Sequence, residues 1–134
     1  HAREWVAKLT TFLADTITRR MDLAPDSYSL EFRLIGVDGA LGGLENRQGQ
    51  PVEVGVLGIV TAPTQALAAE IGKLINPFVL HYPLTEDEEL PTFAFPYSPA
   101  TTDRGALYEF ALNHVMELSD PMSAFRLTVT EVGA

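Results

Sequence analysis

Cysteine is absent from this sequence of 134 residues. That excludes disulfides, thiolate zinc sites and cysteine nucleophiles together. It suits a reducing compartment, and a cytoplasmic protein is expected. Long apolar runs are missing too. None approaches the ~18 residues a membrane span needs, and no secretory signal is visible, so no membrane association is expected. Basic residues are scarce, 9 against 18 acidic ones, for a net charge of −9. A chain so acidic repels phosphate backbones and anionic lipid surfaces, which argues against nucleic acid as a partner. Histidine occurs at positions 1, 81 and 114 only, with no ligand spacing, so no metal is expected. There is no phosphate loop, and no serine sits in a nucleophile elbow. Gly36, Gly39, Gly42 and Gly43 lie between two expected strands, not between a strand and a helix. They read as a hairpin loop rather than a dinucleotide site, and no cofactor is expected.

What is present is a globular composition, 46% hydrophobic and 20% charged, of a length that suits one domain. Trp5, Leu9, Phe12, Leu13, Thr16, Ile17 and Arg20 recur at helical spacing, predicting a helix over about residues 2–21. A break at 22–26 contains Pro25. Residues 27–35 alternate, with Tyr28, Leu30, Phe32 and Leu34 on one side, as in a half-buried strand. Val52 to Val60 is apolar on both faces, which predicts a central strand. A second helix follows, with Thr61 as its expected N-cap, Pro63 in its first turn and Pro77 ending or kinking it. Leu67, Ile71, Leu74, Ile75 and Phe78 form its stripe. Thr85 to Leu90 reads as a solvated acidic loop. Three more strands are expected, at 92–97, 107–118 and around Phe125, Leu127 and Val129. The fold class is then α+β, with the order αββαββ and an extra strand. A ferredoxin-like unit with its first strand moved to the end has that order. It would be an antiparallel sheet with two helices on one face.

The candidate site gathers around the fourth strand and the turn before it. His114 shares a face with Tyr108, Phe110, Leu112 and Met116, while Glu109, Asn113 and Glu117 share the other. One reading makes His114 a core imidazole satisfied by a carbonyl or a tyrosine hydroxyl. The other places it at a pocket rim as acid or base. Asp103 and Arg104 on the preceding turn are either solvated or a clamp for a carboxylate. Catalytic candidates are therefore His114, Arg104 and Asp103. Substrate-binding candidates are Ser98, Tyr108, Asn113 and His81.

Ala62-Pro63-Thr64-Gln65, Phe93 to Pro99, Tyr108 to Met116, Asp120-Pro121 and Phe125 together resemble the C-terminal part of the acyclic terpene utilisation (AtuA-like) family. The "RLIGVDGALG" stretch fits the same pattern, and the resemblance runs from about Ser27 onward. It implies a single ferredoxin-like domain over 1–134, with a helix and linker in 1–25 and the main part in 27–134. It also implies a place in bacterial breakdown of branched terpenoid or related acids through acyl thioesters. The family's larger N-terminal domain has no counterpart in this sequence. The first helix also starts without a capping residue ahead of it, as if within a longer chain. The leading expectation is a detached C-terminal domain or small subunit that self-associates or docks on a larger AtuA-like chain. The second is a small enzyme acting on a carboxylic acid or thioester through His114. The third is a structural oligomerisation module.

Overall fold

The computed structural model describes residues 1–46, 49, 51–85, 87 and 93–133. Helix α1 (Ala2–Met21) forms where the stripe predicted it, and its buried side chains are Trp5, Leu9, Leu13, Thr16 and Ile17. It ends at Asp22, whose left-handed φ of 54° suits a short polar side chain. Glu4–Lys8 and Asp15–Arg19 pair one turn apart on its exposed side.

Strands β1 (Ser29–Ile35) and β2 (Gly55–Thr61) form an antiparallel pair, with Leu30 opposite Val60, Phe32 opposite Gly58 and Leu34 opposite Val56. The face bearing Leu30, Phe32, Val56 and Val60 packs on the core of α1 and α2 (Gln65–His81). Leu9, Leu13, Ile17 and Ile71 are completely buried there. The α+β class, the antiparallel pairing and two helices on one sheet face are thus as expected. The glycine-bearing loop does lie between two strands and closes through N–H groups of Val37, Asp38 and Gly39, all donating to the Leu34 carbonyl.

Several boundaries differ from expectation. Strand β2 starts at Gly55 rather than Val52, because β1 ends at Ile35 and Gly55 is the last residue with a partner. Thr61 belongs to the ladder opposite Ser29. The N-cap of α2 is Thr64, whose hydroxyl oxygen accepts from the Leu67 N–H at 3.2 Å. Pro77 lies inside α2, which continues to His81. Its last turn is held by the Tyr82 N–H on the Phe78 carbonyl (2.8 Å) and by both rings packing on Phe12.

The largest correction concerns the three later strands. Among the described residues, 93–133 carry one short 3₁₀ turn, Pro121–Ala124, and no strand. The first of these stretches lies along α2 instead. The Phe93 N–H donates to the Leu80 carbonyl at 3.2 Å, and the Phe93 ring meets Trp5 edge-on at 5.4 Å. Further on, the Thr101 methyl stands 3.5 Å from where a Cβ on Gly72 would be. Residues 107–118 and 125–129 have no ladder partner, and an alternating segment without a neighbouring strand has nothing to hold it as one. Thr92 and most of the acidic stretch, Glu86 and Glu88 to Leu90, lie outside the described residues.

Among the described residues no helix is long and apolar enough to cross a membrane. None of their His, Asp and Glu side chains forms a group of three that could hold a metal.

Candidate functional site

Two shallow concavities adjoin at the seam where α1 passes the end of α2. One is lined by Ala7, Lys8, Thr11, Phe12 and Tyr82; the other by Phe12, Pro77, Phe78, His81, Tyr82 and Pro83. Helical spacing builds the shared wall. Phe78 and Tyr82 stand four residues apart, so both reach Phe12, with centroids 5.0 Å away in each pair.

The polar groups around this seam are engaged by the backbone. The Lys8 ammonium donates to the Leu84 carbonyl at 2.9 Å and pairs with Glu4. The Thr11 hydroxyl donates to the Ala7 carbonyl at 3.1 Å. The indole N–H of Trp5 donates to the Tyr82 carbonyl at 2.7 Å, which pins the chain leaving α2. What results is an aromatic groove suited to apolar contact, with few groups available for proton transfer or anion binding.

Of the seven sequence candidates, His81 alone lines this groove. Ser98, Asp103, Arg104, Tyr108, Asn113 and His114 are all exposed. Asp103 is used locally, its carboxylate accepting from the Gly105 N–H at 2.7 Å in a turn. His114 therefore does not sit on a core face; the strand that would have turned it inward has no sheet to join. The aromatic groove was not anticipated, although the spacing of Phe78 and Tyr82 was its signal. Two shifted pKa values lie elsewhere. Burial pushes the Tyr28 hydroxyl up. The Arg33 guanidinium is raised by its hydrogen bond to Glu31 and by that carboxylate's charge.

Compared with known proteins, the chain matches no family model, no curated protein and no solved structure.

Proposed function

We propose that this chain is a non-catalytic assembly module: a detached C-terminal domain or small subunit of an AtuA-like protein of branched-acid catabolism in the cytoplasm. It docks through residues 102–133 on a larger catalytic chain. The observation that carries the reading is the segment itself. Phe110, Leu112, Phe125, Leu127 and Val129 are each more than 70% exposed, whereas the apolar residues of α1 and α2 build a core around Leu9, Leu13, Ile17 and Ile71. Large apolar side chains left in water in such number mark an interaction site. The six polar candidates outside the groove are all exposed to water rather than set in a cleft, which weighs against a stand-alone enzyme. The family resemblance rests on the motifs at 62–65, 93–99 and 108–116. On assembly, we propose, the later segments complete the permuted ferredoxin-like sheet.

The test is purification of the native chain from its source under mild conditions. A larger chain should accompany it in fixed stoichiometry, and activity on an acyl thioester should require both. If the chain emerges without a larger companion and turns over such a substrate by itself, the reading is wrong.

A further inference from the structure

We propose that residues 107–116 add as a strand to the free edge of β2 in a second copy of this chain, so that two copies exchange C-terminal arms. This rests on reading the chain as an assembly module and names the segment and the edge through which it first pairs.

Surface area supplies the first argument. A compactly folded chain of 14.6 kDa exposes about 6,900 Å². This one exposes 11,294 Å². The excess, about 4,400 Å² per chain, far exceeds the roughly 1,600 Å² that a standard interface buries across both partners. Much of it lies on the arm, where Leu107, Tyr108, Phe110, Leu112 and Val115 are 76–93% exposed.

Matching form supplies the second. Within 107–116 the one formally charged residue is Glu109. Tyr108, Phe110, Leu112 and Met116 alternate onto one side, the pattern of a half-buried strand. The acceptor is as well defined. Among the described residues β2 pairs with β1 alone, so its other edge presents the unmatched N–H and C=O groups of every second residue along the strand. Val56 and Val60 face the helices; by alternation Leu57 and Ile59 face outward. A strand apolar on both faces belongs inside a sheet, yet β2 has a neighbour on one side only.

The connection supplies the third. The chain stays against its own α2 as far as Thr101. It then passes through the Asp103–Gly105 turn, where Gly105 holds a φ of 72° that a side chain would strain. Every residue from Thr101 to Glu117 is exposed, so the arm departs from the body whose edge it would fit. Among the described residues the outer edge of β1 is open as well, but β1 carries the charged pair Glu31 and Arg33, so the apolar β2 edge is the acceptor that each copy offers to one donor arm. Reciprocal exchange between two copies uses both, with two-fold symmetry and no arm left over.

The test uses the purified full-length chain with no other protein present. Light scattering at micromolar concentration should give twice the monomer mass. Amide hydrogen exchange in the same sample should be at least tenfold slower than in the unstructured chain for 107–116 and 55–61 alike. Phe110→Asp should return the chain to monomer and abolish protection of 107–116. The fluorescence of Trp5, the single tryptophan, should stay unchanged, showing that the body remains folded. Leu112→Asp serves the same purpose if the first variant fails to fold. A monomer at these concentrations overturns the proposal, even if its arm is protected, since the arm then folds on its own body. A dimer whose residues 107–116 exchange freely overturns it equally. A larger companion found in the source bears on the functional reading alone; the mass of the purified chain bears on arm exchange alone.

Discussion

Among the described residues Thr16 is the one buried polar side chain, 3% exposed, and its hydroxyl has no hydrogen-bond partner there. Thr10 and Thr11 on the same helix donate to carbonyls one turn back, at 2.7 and 3.1 Å, so the geometry is available in α1 but unused at Thr16. An unmatched buried hydroxyl costs about 1–3 kcal/mol relative to a satisfied one. Valine has nearly the same shape and the same β-branch. Thr16→Val should therefore be neutral or stabilising by up to about 1 kcal/mol. Urea unfolding followed by Trp5 fluorescence measures this; a loss of 1 kcal/mol or more would reveal a partner for the hydroxyl. Tyr28 makes a prediction about pH. Burial raises its folded-state pKa above the ordinary value of 10.0, so between the two values the folded chain holds more protons than the unfolded one. This contribution is complete below pH 10 and disappears as the pH climbs through the folded value. Tyr28→Phe should flatten the alkaline fall in melting temperature and leave the neutral range alone.

At the scale of elements, what could be read from the sequence was whatever a single periodicity decides. The α1 stripe from Trp5 to Ile17 and the alternation from Tyr28 to Leu34 name both the element and its buried face. Ends were harder, because they depend on partners. Val52 continues the apolar run yet is fully exposed, since β1 stops before reaching it. Thr61 is the cap expected from the sequence, but the ladder claims it, and Thr64 caps α2 instead. Alternation in 107–116 marks a strand but says nothing about which molecule supplies its neighbour. Alternation alone therefore allows a core position for His114, which is exposed. One element-level contact is specific enough to test. The Phe32 ring lies over Gly58, 3.1 Å from where a Cβ would stand. Gly58→Val gains strand propensity but forces the ring out of the core, and such overpacking costs about 1–3 kcal/mol. Gly55→Ala is the control. Its Cβ would meet Ile35 at an ordinary 3.4 Å, and its melting temperature should stay close to the parent's.

For the whole molecule, the body from α1 to α2 and the segment after Thr101 differ in kind. The body has a core of interlocked apolar residues, an indole hydrogen bond and a capped helix. The segment after Thr101 has local turns at Asp103 and Asp120. Proteases cut where backbone is accessible and local opening costs little. Arg104 and Arg126 lie in the exposed segment, whereas Arg19, Arg20 and Lys73 lie in helices. Trypsin at low protein concentration should therefore cleave after Arg104 and Arg126 before it cleaves after Arg19, Arg20 or Lys73, as mass spectrometry of early fragments would show. Raising the protein concentration should slow chymotryptic cuts at Tyr108 and Phe110, because association removes the proposed strand from the open population. The cut at Arg104, in the turn ahead of the proposed strand, should slow less. Early cleavage at Arg19 or Lys73 would mean that the helices open as readily as the arm. Cleavage at Tyr108 and Phe110 that ignores concentration would mean that no partner copy covers the strand.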